Sequence, residues 1–444
     1  MYVAKNICMK FYGREKEIET LQKIENLSAS YAQMTVITGR RRIGKTTLVK
    51  HACTQIPFVY LFVGRKSETM LCREFAEVVS NTLGIDLGDF SSFSRLFSVL
   101  MQQSKKIHFT LVLDEFQNFK FVNQAVFSDM QNIWDANKAE SKMNLIVCGS
   151  VNTMMSKIFD DKKEPLYGRA NNRLRLQPFS TAVLKEMLGD FNPDYTHEDL
   201  LALYMTTGGV AKYVEEMLTH GATTKDAILE QFVCYGSYFI PEGKEMLSDE
   251  FGKDSGNYFS ILNAIAEGEN TRGDIKSYTG VEPGGFLDKL EKEYDIIYRH
   301  RPYLASDKSR NVKYGIKDNF LRFWFRFVQK YISAVEIGNT DYILEKMQND
   351  YETYSGRELE QYFHQKYAET GRYNLVTSYW ERDGQNEIDL IAVNDSERHI
   401  VIGEIKRQVQ RLVMKTLEEK AKNIVAQQRR RYSIEFVGLS MDDM

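Results

Sequence analysis

The sequence predicts an α/β protein of several domains: a parallel sheet with a phosphate-binding loop, a helical lid, a winged-helix middle domain and a C-terminal α/β unit. Three observations predict it. A GxxxxGK[ST] stretch lies between an apolar β-branched run and a helical pattern at residues 36 to 52. Apolar strands alternate with helical stretches over residues 34 to 180, as in a parallel sheet covered on both faces. From residue 351 the order becomes helix, strand, strand, strand, helix, strand. The length agrees, since 444 residues at about 150 per domain give about three cores.

Composition narrows the function. With 43% hydrophobic and 27% charged residues and seven prolines, the chain is globular and carries no long disordered tract. A net charge of −3 exerts no global pull on nucleic acid, so any such binding must come from local patches. The five cysteines (Cys8, Cys53, Cys72, Cys148, Cys234) are odd in number, scattered and without CxxC spacing, which argues against a disulfide framework and a zinc site. "MYVAKNICMKFYGREKEI" lacks the apolar core of a signal peptide, and no apolar run approaches a membrane span. A cytoplasmic protein without a membrane partner is expected.

In "VITGRRRIGKTTLVKHA", Gly39, Gly44, Lys45 and Thr46 occupy the motif positions, with Arg42 and Thr47 as further nucleotide contacts in the same stretch. The chain leaves a strand, wraps backbone N–H groups around phosphates and starts a helix whose positive end favours the anion. Lys45 is expected on the β- and γ-phosphates of ATP and the Thr46 hydroxyl on Mg²⁺. A chance glycine-rich turn would lack the flanking strand and helix. "HFTLVLDEFQNF" ends an apolar run in Asp114 and Glu115. Asp114 would hold Mg²⁺ and Glu115 would polarise the attacking water, although an acidic pair opening a helix is the plainer alternative. "NLIVCGS" places Ser150 at the next strand end, as a γ-phosphate sensor or an ordinary turn residue.

These segments, with "FYGREKEIETL", "PLYGR" and "GGVAKYV", resemble over the whole chain the archaeal and bacterial AAA-like ATPases of the signal-transduction NTPase group. Members often end in a restriction-nuclease-like domain. The resemblance implies a nucleotide-base contact at Gly13 and Arg14. Arg169 in "PLYGR" becomes a candidate charge on the γ-phosphate, from its own or a neighbouring subunit of a homo-oligomer, with a structural arginine as the alternative. The family commonly has a proline where this chain has Ala211. That substitution loosens the start of a lid helix but removes no chemistry.

Residues 181 to 245 read as amphipathic lid helices, with Gly208 and Gly209 ending one and permitting the next. Residues 257 to 302 run helix, turn, helix, turn, helix and extended segment, the order of a winged helix. Its third helix balances acids and bases, which suits DNA poorly. Arg299, His300 and Arg301 are better phosphate candidates, and packing against protein is the competing role. "FLRFWFRFV" suits a buried sealing helix better than a base-stacking platform.

In the C-terminal region, polar turns at Asp383-Gly384 and Asn394-Asp395 join adjacent strands as hairpins. Pairing then brings Asp389, in "NEIDLIAV", beside Glu404 and Lys406 of "HIVIGEIKR". Glu404 and Lys406 share a strand face, which allows a site or an ordinary surface ion pair. The element order with D…ExK resembles the PD-(D/E)xK restriction-endonuclease-like fold, without the proline of its name. In that chemistry two carboxylates hold Mg²⁺ against the scissile phosphate and the lysine assists the attacking water. Glu360 on the preceding helix is a further metal candidate, with Glu358 and Glu387 as substitutes. A downstream helix with Lys406, Arg407, Arg411, Lys415, Lys420, Lys422 and then Arg429 to Arg431 supplies a basic patch for DNA.

The expected boundaries are 1–180 for the P-loop ATPase core, 181–245 for the lid, 246–318 for the winged helix, 319–350 for linker helices and 351–444 for the nuclease-like domain. The expected function is an ATPase governing a Mg²⁺-dependent DNA-processing domain. The alternative is an ATP-driven switch whose C-terminal fold binds nucleic acid or protein without cutting.

Overall fold

The computed structural model describes residues 9–251, 255–381 and 386–444. The chain divides into two compact units, Gly13–Gln177 and a second formed by Met1–Tyr12 with Pro178–Met444.

The first unit is built on five parallel strands: β1 Gln33–Thr38, β2 Phe58–Phe62, β3 Phe109–Asp114, β4 Met143–Cys148 and β5 Asn172–Arg175. Their order in the sheet is β2-β3-β4-β1-β5, so β1 lies between β4 and β5. Every residue of β3 and β4 is buried, as their continuous apolar sequences require when helices cover both faces. Phe93, Phe97, Phe109, Phe116, Phe119 and Trp134 fill the core against one face. Parallel pairing puts all the carboxyl ends of the strands on one edge of the sheet. That edge is where the chain carries its polar strand-terminal residues and where open α/β sheets bind ligands.

The second unit begins with helices Thr181–Phe191, His197–Thr207, Ala211–Thr219 and Lys225–Val233, the stretch expected as a lid. Thr196 and Asp199 close a capping box at the start of the second helix. Gly208, at φ 58°, ends it. Gly209 follows at φ 71°, and a Cβ there would lie 2.6 Å from the Phe179 carbonyl oxygen, so only glycine fits. Helices Ser255–Glu267, Arg272–Thr279 and Gly284–Lys292 then lead to the antiparallel ribbon β6 Ile297–His300 and β7 Lys313–Ile316, the element order of a winged helix.

The helix Asn319–Phe327 buries Phe320, Phe323, Trp324, Phe325 and Phe327, so the "FLRFWFRFV" rings pack rather than stack on bases. Its arginines take carboxylates: Arg326 pairs with Asp350 and Glu267, while Arg322 forks onto Glu358 at 2.8 and 2.7 Å. The long helix Thr340–Glu369 leads to a four-stranded mixed sheet of β8 Leu375–Tyr379, β9 Ile388–Asn394, β10 His399–Ile405 and β11 Ser433–Leu439, ordered β11-β10-β9-β8. β8 and β10 run antiparallel to β9, and β11 runs parallel to β10. The Asp383-Gly384 turn lies outside the described residues, and the β9–β10 connection spans residues 395 to 398. The expected basic helix is two short ones, Met414–Lys420 and Lys422–Gln428, which still present Leu417, Ala421 and Ile424 to the core. Among the described residues no helix is long and apolar enough to cross a membrane.

The Arg322–Glu358 fork is the most enclosed ion pair named above, with side chains 13% and 4% exposed. Arg322→Ala strands the Glu358 charge in low dielectric and is expected to cost about 3–5 kcal/mol. Denaturant unfolding followed by circular dichroism measures it, and an unchanged midpoint would show that Glu358 is rehydrated instead.

Candidate functional site

The phosphate loop is shaped by backbone conformations that few residues tolerate. Gly39 sits at φ 144°, where a Cβ would lie 2.9 Å from the Leu176 carbonyl oxygen. Arg42, at φ 69°, takes the left-handed conformation without being glycine, and Gly44, at φ 93°, caps the helix Lys45–Ala52. Ile43 is buried and pins the loop from beneath. The turn therefore aims successive backbone N–H groups into one concavity ahead of a helix N-terminus. Lys45 is 7% exposed, and its ammonium donates to the carbonyls of Gly39 at 2.8 Å and Arg40 at 3.1 Å. Burial holds its pKa below the usual lysine range, with Glu115 the strongest charge opposing that shift. An ammonium so placed, facing carbonyl dipoles, gains from an anion in the cradle. Thr47 is exposed on the first turn of that helix.

Asp114, at the end of β3, is 5% exposed, and its carboxylate is fully engaged. Oδ2 accepts from Thr46 Oγ1 and from Tyr60 OH, each at 2.7 Å, and Oδ1 accepts from the Glu115 N–H at 3.0 Å. Thr46 and Asp114 thus place a hydroxyl and a carboxylate oxygen together beside the phosphate cradle, the oxygen donors that Mg²⁺ selects. Tyr60 was missed in the sequence, where it reads as one more aromatic on an edge strand. Its signal was the in-register pairing of β2 with β3, two residues short of the Asp114 level.

Glu115 has φ 54°, an uncommon left-handed conformation for a non-glycine residue. Its Oε2 accepts from the Gln117 amide and from Ser150 Oγ, the latter at 2.9 Å. Ser150, expected on a γ-phosphate, therefore touches the glutamate, and the nearly buried Gln117 joins a site from which the sequence reading omitted it. Gly13 and Arg14, both at positive φ, place the Arg14 guanidinium on the Gln177 carbonyl at 2.7 Å. Arg169 is occupied elsewhere. It forks onto Asp135 at 3.1 and 3.3 Å and donates to the Tyr167 carbonyl.

In the C-terminal sheet, β9 and β10 pair with Gly403 opposite Leu390, so one step further Glu404 stands opposite Asp389. Two carboxylates at that level repel, and lysines meet them. Lys406 Nζ lies 3.0 Å from Asp389 Oδ2 and 2.9 Å from Glu404 Oε1, and Lys420 lies 3.1 Å from Glu404. Asp389 Oδ2 also accepts from the Ile405 N–H at 2.8 Å. Burial, then Glu404, pushes the Asp389 pKa up. Burial pulls the Lys406 ammonium down, but Asp389 and Glu404 outweigh it and leave its pKa raised. Glu360 makes no hydrogen bond or ion pair among the described residues, and burial, reinforced by Asp389, pushes it up to about 8.

The structure thus brings Asp389, Glu404 and Lys406 together. Of the expected metal set, Glu404 stands opposite Asp389 and Glu360 lies close enough to Asp389 to feel its charge, while among the described residues no group of three or more His, Cys, Asp or Glu side chains is placed to hold a metal ion. Lysines take the carboxylate oxygens instead. The substitutes are committed too, Glu358 to Arg322 and Glu387 to Lys313 at 2.8 Å. In the wing, Arg299 pairs with Glu291, and His300 turns inward to Thr377 Oγ1 at 2.7 Å. Burial, with His364 and Lys313 nearby, takes the His300 pKa down to about 4, so it is neutral at pH 7 and a poor phosphate ligand. Arg429, Arg430 and Arg431 are exposed, as a basic surface requires.

Comparison with known proteins gives the following. Residues 11–217 match the profile of a family described as an ATPase domain predominantly from Archaea, and residues 324–424 match one described as archaeal and bacterial proteins of unknown function. An uncharacterized protein of Methanocaldococcus jannaschii is 30% identical over 404 residues, spanning 89% of this chain and 87% of that protein. A second uncharacterized protein of that organism is 42% identical over 55 residues, 12% of this chain and 53% of its own length. Among solved structures, the Walker-type ATPase of Pyrococcus abyssi matches with a TM-score of 0.54 at 19% identity, covering 71% of this chain and 96% of that one. That likeness establishes the fold alone.

The raised Glu360 pKa makes stability depend on pH. An acid whose folded pKa lies above its unfolded value binds the extra proton in the native state, so its contribution is complete below the unfolded pKa and is lost as pH rises toward about 8. In chelator, the thermal midpoint is expected to fall between about pH 5 and pH 8. Glu360→Gln should flatten that decline, and an equal slope in both proteins would mean that Glu360 is ionised and hydrated.

Proposed function

Because the chain belongs to the family that joins an ATPase domain found predominantly in Archaea to a C-terminal region shared by archaeal and bacterial proteins of unknown function, we propose that it binds and hydrolyses ATP and couples nucleotide state to a DNA-processing unit. The observation that carries the ATPase part is the buried Lys45 ammonium facing two carbonyls inside a ring of backbone donors. Lys45 takes the β- and γ-phosphate charge, and the cradle N–H groups orient the chain of phosphates. Thr46 and Asp114 are the Mg²⁺ ligands, and the ion supplies neutralisation of the phosphate charge. Glu115 polarises the attacking water, held in place by Gln117 and Ser150. Arg14 and Gly13 lie toward the nucleoside, and Arg169 acts from its own or a neighbouring subunit after leaving Asp135.

The DNA part rests on Asp389, Glu404 and Lys406 converging on one sheet face and on the exposed Arg429 to Arg431 cluster. Asp389 and Glu404, directly opposed across two strands, are the pair a divalent ion would bridge in place of Lys406. The lysines on these carboxylates, Lys406 on Asp389 Oδ2 and Lys406 with Lys420 on Glu404, favour the second reading, in which this fold binds nucleic acid or protein without cutting it. Asp389→Ala and Glu404→Ala separate the two. A cutting site loses one equivalent of bound Mn²⁺ by calorimetry in each variant while ATPase activity persists, whereas a purely ion-paired cluster leaves the Mn²⁺ stoichiometry of the wild type, set by Thr46 and Asp114, unchanged in both.

Two substitutions test the ATPase site. Lys45→Ala is expected to abolish tight ATP binding, because the phosphates lose a charge-assisted partner in a preformed cradle. Glu115→Gln should keep ATP binding and lower turnover at least about tenfold. Wild-type turnover in Glu115→Gln would return the water-positioning role to another group.

A further inference from the structure

A cavity of about 380 Å³ opens beside the C-terminal sheet, within the second compact unit. Asp389 and Glu360 line it, whereas Glu404 and Lys406 do not. Arg357 and Glu387 are exposed at its rim, and the buried Tyr354 is part of its lining. The opposite wall is the β6–β7 ribbon, through Tyr298, His300, Lys313 and Tyr314. That wall is fastened. The Tyr303 N–H donates to the Ser378 carbonyl at 2.9 Å, Trp380 Nε1 donates to Asn311 Oδ1 at 2.9 Å, and Lys313 lies 4.6 Å from the Trp380 ring centroid while pairing with Glu387.

The chemistry of the lining is specific. It combines aromatic rings, the Arg357 guanidinium at the mouth, and the Glu360 carboxylate, for which no hydrogen bond is found among the described residues. Rings offer a flat surface to a nucleobase, the Arg357 guanidinium at the rim meets a phosphate, and a carboxyl group without a hydrogen-bond partner gains from a polar ligand. The volume falls within the range of small-molecule clefts, about 300–1,000 Å³. A continuous duplex, whose major groove alone is about 12 Å wide, cannot enter while the ribbon stays docked.

We propose that this cavity receives a single unpaired nucleotide, such as a strand end or an extruded base, with its base among the ribbon rings and its phosphate at Arg357. The assignment rests on the reading of the C-terminal unit as one that handles nucleic acid, and it makes the ribbon a specificity wall rather than a surface for duplex DNA. A site that takes one nucleotide out of the stack selects ends, gaps and distorted positions, because extrusion costs least there.

The test uses the full chain carrying Lys45→Ala, so that the ATP site does not compete, with Mg²⁺ and dTMP as the probe in calorimetry. Binding of dTMP that weakens at least about tenfold on adding Arg357→Glu is expected. Arg357 is exposed, so the fold tolerates the change, and Tyr314→Ala gives an independent second loss. No dTMP binding, or equal binding in both Arg357→Glu and Tyr314→Ala, overturns the proposal. A second arm compares an end-labelled single strand with a covalently closed circular duplex. Cleavage confined to the strand with ends supports the pocket, and equal cutting of the circle overturns it, making the ribbon a lid that opens. Binding of dTMP with neither DNA cut supports the pocket and removes only the nuclease reading.

Discussion

A carboxylate withdrawn from water must be met by donors or give up its charge, and both units of this protein are organised by meeting that demand. Asp114 is the clearest case. Its two oxygens draw the first turn of the phosphate-loop helix, the edge strand β2 and the backbone after β3 to one point, through Thr46, Tyr60 and the Glu115 N–H. Remove that carboxylate and three elements lose their common partner.

The second unit solves the same problem with cations. Glu358 is answered by the Arg322 fork, and Asp389 with Glu404 by Lys406 and Lys420. The two solutions differ in what they leave available. A carboxylate bonded to hydroxyls can exchange them for a metal ion with little loss, because neutral donors are readily replaced by water or by the ion's own hydration shell. A carboxylate bridged by an ammonium must first release a charge of equal sign to the incoming ion. The carboxylate beside the phosphate loop is met by neutral donors, and the carboxylates of the C-terminal cluster are met by ammonium groups. Glu360 follows neither pattern: it makes no hydrogen bond among the described residues, and burial pushes its pKa up.

The winged-helix-like ribbon shows how an element can change role by what it packs against. Its sequence offers Arg299, His300 and Arg301 as if to phosphate, yet His300 is half-buried against Thr377 and Trp380 and stays neutral. A histidine in low dielectric beside Lys313 cannot carry the positive charge that phosphate recognition needs. The ribbon's cationic character is thereby spent on protein contacts, and the basic surface of this unit shifts to Arg429, Arg430 and Arg431.

The sequence by itself determined the parts governed by local rules. Gly39, Gly44, Lys45 and Thr46 specify a turn of fixed backbone shape, and the largely apolar runs ending in Asp114 and Cys148 suit central parallel strands. The D…ExK spacing placed Glu404 and Lys406 on one face because side chains alternate with period two. Tertiary structure decided the partners, which no spacing encodes. Tyr60 and Gln117 enter the ATP site because strand register and a left-handed turn at Glu115 carry them there. Arg169 pairs with Asp135, and Lys420 reaches Glu404 across sixteen residues. The physical reason is range: backbone conformation and face alternation are set within a few residues, whereas the neutralisation of a buried charge depends on whichever distant side chain the packed core brings within about 3 Å.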